Sequence, residues 1–234
     1  MVSKKLIFKF LIDVILPNRC PMCDKLLRWD GLLCEKCKAE LENLELEDSE
    51  FFEGTKAWSL YRYEGKCVDM IYALKHGGVL NNFAEYSAVK LAEKIRNCGF
   101  ADKIDIVTAV PMYRRKKAKR GINHAELLAG YVGEALHKPT DFRLIKHLND
   151  DEEQHHMSAE ERKVHAKRIY SANKKHPDIS GKTILICDDV ITTGSTINVC
   201  AGILREMGAE VCCCSVCHSV KNTNKFVKDG ENNS

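Results

Sequence analysis

The stretch Thr183-Ile-Leu-Ile-Cys-Asp-Asp-Val-Ile-Thr-Thr-Gly-Ser-Thr196 joins an apolar run to two adjacent carboxylates, and these to small hydroxyl residues around a glycine. Ile184 to Cys187 predicts a buried strand, and the hydroxyl run predicts a helix opening near Thr196. Open α/β sheets bind ligands at such a junction, outside the carboxyl end of a strand. Hydroxyls of Thr192, Thr193, Ser195 and Thr196, nearby backbone N–H groups and the positive end of the helix would converge on a phosphate. Gly194 permits a close approach. Asp188 and Asp189, just before that cradle, sit a sugar's length away and can accept hydrogen bonds from ribose hydroxyls. Phosphate and acids together imply a ribose 5-phosphate. A second chemical reading is a metal-binding acid pair, as at a phosphoryl-transfer site. A charged turn at a strand end would explain the acids but not the Thr-Thr-Gly-Ser-Thr run attached to them.

A second constellation lies near the N-terminus, where Cys20-Pro-Met-Cys23 and Cys34-Glu-Lys-Cys37 are separated by ten residues. Two residues between paired cysteines let both sulfurs face one tetrahedral ion, and two such turns close a four-thiolate cage of the structural kind. Zn2+ is the expected metal; the rival readings are two disulfides, which a reducing compartment disfavours, or chance. A third is the basic run from Tyr113 to Arg120, in which Arg114, Arg115, Lys116, Lys117, Lys119 and Arg120 make six of eight residues cationic. It reads as a loop that either binds anions or is merely solvated. Cys214-Ser-Val-Cys217-His218 matches a c-type haem attachment pattern. That reading is rejected: no signal peptide supports export, and in a strand Cys214 and Cys217 point to opposite faces.

These residues need a scaffold. Lys56 to Tyr63, Lys103 to Val110 and Ala209 to Val220 predict strands. Cys67 to Lys75 and Phe83 to Arg96 predict helices, the latter burying Phe83, Ala88, Leu91 and Ile95. A helix opened by Asn123 as N-cap, with Glu126 three residues on, would bury Leu127, Leu128, Val132 and Leu136. Asn149 to Arg168 is charged, poor in large apolar residues and expected as an exposed excursion. Half of Glu42 to Glu53 is acidic, which suggests a connector with a boundary near residue 50. The expected organisation is an N-terminal helix and ribbon over 1–50, an α/β domain over 51–220 and a disordered tail over 221–234.

Length and composition exclude several classes. A chain of 234 residues fits one medium domain plus an appendage, and twelve cysteines fall below the ~8–10% of secreted disulfide scaffolds. A net charge of +3 gives no global pull toward nucleic acid, so any such binding must be local. Leu6 to Leu16 imitates a signal peptide, but Lys9 and Asp13 interrupt it, no cleavage site follows, and it is shorter than the ~20 residues of a span. It reads as a core helix ended by Pro17, and the expected location is cytoplasmic, with no membrane span.

The stretch 183–196 resembles the 5-phosphoribosyl-1-pyrophosphate (PRPP) motif of type I phosphoribosyltransferases at essentially every position. The order of the other features is similar to the competence protein F (ComF) family over roughly residues 15 to 218. Those features are the four-cysteine ribbon, Val110-Pro111 with the basic residues and Arg120-Gly121-Ile122-Asn123, then Gln154-x-x-Met-Ser158-x-x-Glu161-Arg162. The resemblance implies an α/β fold: a type I phosphoribosyltransferase-like parallel sheet flanked by helices, with a small N-terminal zinc ribbon. It implies PRPP or a nucleotide as ligand, with Asp188 and Asp189 on the ribose hydroxyls and Thr192, Thr193, Gly194, Ser195 and Thr196 on the 5-phosphate. Lys75, in Leu74-Lys75-His76-Gly77-Gly78, matches a family lysine near the cleft; its place close to a helix C-terminus is also what the helix dipole favours. Pro111 to Arg115 occupies the place where related enzymes bind pyrophosphate, normally accompanied by Mg2+, and residues 146 to 168 match a loop that would cover the site. His124 departs from the usual Gln, and His165 from the usual Asn after the Glu-Arg pair.

Two functions are consistent with these features. In the enzymatic one, an acceptor displaces pyrophosphate at C1 of PRPP. In the other, a non-catalytic nucleotide- or single-stranded-DNA-binding protein uses the ribbon and Lys116, Lys117, Lys119 and Arg120, with a helicase or another DNA-uptake protein as partner in natural transformation.

Overall fold

A computed structural model describes residues 17–46, 50–52, 54–76, 82–148, 169–173 and 175–219. In chain order these form α1 (Glu35–Glu42), β1 (Glu50–Phe52), β2 (Thr55–Arg62), α2 (Lys66–His76), α3 (Asn82–Asn97), a 3-10 turn (Ala101–Lys103), β3 (Ile106–Ala109), α4 (Arg114–Arg120), α5 (His124–Leu136), β4 (Ile145–His147), β5 (Tyr170–Ala172), β6 (Thr183–Ile191), α6 (Ser195–Glu206) and β7 (Glu210–His218). The expected N-terminal helix, the excursion 149–168 and the C-terminal tail lie outside the described residues.

β6 and β7 are each apolar at six of nine positions and buried over most of their length, the pattern of strands covered on both faces. They occupy the middle of a five-stranded sheet of order β1-β2-β7-β6-β3, in which β2, β7, β6 and β3 run parallel and β1 pairs antiparallel at one edge. One face packs on α3 and α5, where Leu91, Ile95, Leu128 and Val132 meet Trp58, Leu185 and Cys214. On the other face α6 brings Ile197, Cys200 and Leu204 against Ile184, Ile186 and Cys213. The predicted stripes are the buried ones, except that Leu127 is only partly covered. Asn123 is the N-cap of α5: its Oδ1 accepts from the Ala125 N–H at 3.1 Å, while its Nδ2 donates to the Val110 carbonyl at 3.1 Å.

The structure departs from expectation in three places. β6 runs through both aspartates to Ile191, because Asp188, Val190 and Ile191 stay in register with Ser215, Cys217 and His218. The basic run is a helix: Arg, Lys and Ala are good helix formers, Lys117 N–H donates to the Tyr113 carbonyl at 2.8 Å, and Gly121 ends it at φ +80°. Residues 145–147 and 170–172 pair as an antiparallel two-stranded sheet flanking the excursion. Among the described residues, no helix is long and apolar enough to cross a membrane.

The outer edge of β3 is covered by the loop after α5, with Val107 N–H donating to Pro139 and Asp141 N–H to Val107, at 2.9 and 3.0 Å. Asp141 organises that loop. Its carboxylate accepts from Arg143 Nε and Nη2 at 3.1 and 3.0 Å, and faces His176 Nε2 at 2.8 Å. The Arg143 guanidinium, and then His176, hold the Asp141 carboxyl well below the usual carboxylate range. A carboxyl that titrates lower folded than unfolded stabilises fully above its unfolded value of ~3.9, and loses that contribution as pH falls through the folded value. Asp141→Asn should therefore cost about 1–2 kcal/mol at neutral pH, with the gap to wild type narrowing steadily below pH ~4. Urea midpoints across that range check this; an equal loss at pH ~3 would remove charge as the source.

Candidate functional site

The site lies at the carboxyl end of β6. Ala109 pairs with Cys187, and Val110 N–H donates to the Cys187 carbonyl at 3.0 Å, so the chain leaves β3 level with the acid pair. Asp189 N–H donates to Asp188 Oδ1, and Val190 N–H to Asp189 Oδ1, each at 2.8 Å. Burial first, and the neighbouring Asp189 charge second, push the Asp188 carboxyl well above the ordinary carboxylate range. Lys75, in the last turn of α2, sets its Nζ 2.9 Å from Asp189 Oδ2. The structure thus brings Lys75 into contact with the predicted acids and supplies the cation that two adjacent carboxylates require.

The predicted cradle follows at once. Gly194 stands at φ +72° as the N-cap of α6, a left-handed conformation that a side chain would strain. The helical ladder starts with Asn198 N–H donating to the Gly194 carbonyl at 2.8 Å, which leaves the first-turn N–H groups directed outward. Thr193 Oγ1 and Ser195 Oγ lie 2.7 Å apart, and Ser195 N–H donates to Thr193 Oγ1 at 3.4 Å. Thr192 is exposed, and Ser195 and Thr196 are half-buried. Paired hydroxyls and the N-terminus of a 12-residue helix lie next to the carboxylates, an arrangement that can receive an anion.

Arg114 to Lys119 are exposed along α4, and Lys117 Nζ reaches Glu126 Oε2 at 2.5 Å. At the start of this helix the structure adds residues that the sequence reading missed. Tyr113 lies with its ring centroid 5.5 Å from His147 at 33°, and His147 meets Tyr170 edge-on at 5.1 Å and 76°. Tyr170 backs onto the α6 side of the core, where burial, and then the nearby Cys200 and Asp188, push its phenol up. The available signal was Tyr113 beside the cations; the register of His147 on Tyr170 crosses the excursion and needs the tertiary fold.

In the ribbon, the sulfurs of Cys20, Cys23, Cys34 and Cys37 all lie within 4.8 Å of one another. Cys23 Sγ and Cys34 Sγ are 3.6 Å apart, close to the ~3.8 Å edge of a tetrahedron with Zn–S ~2.3 Å. Asp24 takes the left-handed turn at φ +61° that closes the first pair, and Cys34 caps α1, which carries Cys37. The Cys37 backbone N–H lowers the Cys34 thiol to about 7, favouring the thiolate that a metal takes. The four sulfurs converge on one centre instead of separating into two pairs, the arrangement of a metal cage. Cys214 lies on the central strand β7, its sulfur 3.4 Å from that of Cys187 and fully buried, as a packed core thiol and not a haem attachment. The ribbon is not a loose appendage: Cys20, Leu33, Cys37 and Leu41 belong to the same apolar cluster as Trp58, Tyr61 and Phe83.

A parallel sheet with acids and an anion cradle at the end of a central strand defines a phosphoribosyltransferase-type domain. Residues 88–231 match the phosphoribosyl transferase domain family, and the chain belongs to it. Residues 11–47 match the double zinc ribbon domain, consistent with a structural Zn2+ on the four cysteines. The chain is 26% identical to the DNA utilization protein YhgH of Escherichia coli K12, over 81% of this chain and 85% of that protein. It is 26% identical to the competence protein ComFC of Bacillus subtilis, over 81% and 72%. It is 30% identical to competence protein F of Haemophilus influenzae, over 53% of each. The expected resemblance to competence protein F is thus met by relatives bearing that name.

Protein purified without chelators should carry about one zinc per chain, because four thiolates complete one tetrahedral shell. Cys34→Ser should release it. Because the ribbon shares the core of the sheet, the variant should also lower the thermal midpoint of the whole chain by ~5 °C or more. Metal analysis and a melting curve test both; loss of metal with an unchanged midpoint would separate ribbon from domain.

Proposed function

We propose that the chain binds PRPP or a nucleotide phosphate at Asp188–Thr196 and transfers the phosphoribosyl group with release of pyrophosphate. The observation that carries this is the Asp188–Asp189 pair, neutralised by Lys75 and followed directly by the Gly194 cradle. The first-turn N–H groups and hydroxyls of α6 hold the 5-phosphate, and the carboxylates orient the ribose through its hydroxyls. The acceptor then attacks C1 as the bond to pyrophosphate lengthens, through an oxocarbenium-like state. Arg114 and Arg115 meet the pyrophosphate charge, while Lys75 keeps its pairing with Asp189. Mg2+ fits this donor set, since it is commonly held by one or two carboxylates with substrate phosphates; bound there it would neutralise leaving-group charge. The reaction belongs in the cytoplasm, where PRPP is at hand.

Calorimetry with PRPP, with and without Mg2+, tests the binding step. Asp189→Asn and Gly194→Val should each weaken binding about tenfold or more, since a lost charge-assisted hydrogen bond costs about 1.5–3 kcal/mol. Unchanged affinity in both variants would put the ligand elsewhere, and pyrophosphate release separates turnover from binding alone.

A second reading is favoured by α4, whose cations face solvent in a chain of nearly balanced charge. In it the protein holds single-stranded DNA, with or without turnover, and works beside a helicase or another DNA-uptake protein; relatives named for DNA utilization and competence support this. Each phosphate neutralised on a single strand adds ~0.7 to the slope of log affinity against log salt. Replacing Lys116 and Lys119 together by Gln should reduce that slope by about 1.4, Lys117 being left in place because it pairs with Glu126. An identical slope in both proteins would remove α4 as a DNA contact.

A further inference from the structure

The aromatic row beside α4 is used by neither reading. Tyr113 is the N-cap residue of α4, so it stands at the start of six cations. His147 lies against it from β4, its Nδ1 2.6 Å from the Leu148 carbonyl, which sets that nitrogen as the proton-bearing one and fixes the ring plane. Behind His147 stands Tyr170, anchored on the core beneath α6. Tyr113 and His147 are only partly covered, while Trp58, Tyr61 and Phe83 are fully buried.

Pyrophosphate or any other small anion would use the cations of α4 and have no use for an aromatic face. Unpaired nucleic acid uses both. Proteins that hold single strands without sequence preference combine a cationic track for the backbone with aromatic rings on which bases stack. Tyr113 and His147, with centroids 5.5 Å apart and planes inclined by 33°, place two aromatic rings at the end of such a track.

We propose that Tyr113 and His147 form a stacking platform for an unpaired base of single-stranded DNA whose backbone runs along α4. This rests on the DNA reading above and adds to it a contact that charge alone cannot supply. The platform serves unpaired bases only, since those of a duplex are already stacked and paired. Little sequence preference follows, because every base offers a π face.

The test compares two labelled strands of equal charge and length, a ~15-nucleotide oligothymidylate and its abasic counterpart, by fluorescence anisotropy at low salt on the full zinc-loaded chain. Wild type should bind the thymidylate at least about fivefold more tightly than the abasic strand. Tyr113→Leu, which keeps bulk and loses the ring, should erase that difference without changing abasic binding or the salt slope. Tyr113→Phe should preserve it. Circular dichroism and zinc content report whether each variant is folded. Equal affinity of wild type for the two strands, or a preference that survives in folded Tyr113→Leu, overturns the platform while leaving charge-driven binding standing. Binding of neither strand overturns the DNA reading itself and the platform with it.

Discussion

Every part of the site depends on β6 being hydrogen-bonded on both sides at the level where its carboxylates emerge. β3 closes one side through Val110 and Cys187, and β7 closes the other by keeping Asp188 in register with Ser215. A strand clamped in this way holds its acids half-buried, so desolvation acts on Asp188 and adjacency sets it against Asp189. Charge in such a place must be met within the protein, and Lys75 meets it. The same clamp fixes where the chain leaves the sheet, and hence where Gly194 opens α6.

How much of this could be read in advance varied with the distance over which each interaction acts. The cysteine pairs, the acid-and-hydroxyl run and the stripes of α3 and α5 are local patterns, and each stands where spacing put it. The basic run misled because six like charges suggest an extended, repelling loop, whereas Arg and Lys are good helix formers once Tyr113 and Gly121 frame a turn at each end. The partner of Lys75 was out of reach: 114 residues separate it from Asp189, and only the parallel pairing of β2 with β7 brings α2 over the site. The stacking of His147 with Tyr170 is of the same kind, created by pairing across a long excursion.

Two groups of cysteines contrast in environment. The ribbon's four converge at coordination distance, with the Cys34 thiol drawn down by the Cys37 backbone. Those of β7 pack as small apolar groups: Cys213 is pushed up by burial, and Cys214 first by its hydrogen bond with Cys187 and then by burial. The first set is ready for a soft cation and the second is chemically quiet. A count of cysteines cannot distinguish them; their spacing and the strand around them can.

The matched phosphoribosyl transferase segment starts at residue 88, yet β2 lies before it and is the neighbour of β7 on the side away from β6. Without β2, a strand buried over most of its length would become an open edge, an invitation to pair with another chain. Lys75 would be lost in the same cut, leaving the acids without their counter-ion. The stretch that defines the family is therefore not an autonomous module in this protein. It borrows a strand and a cation from the region joining it to the ribbon, so the unit that can be inherited, swapped or transplanted intact must reach back at least to β2.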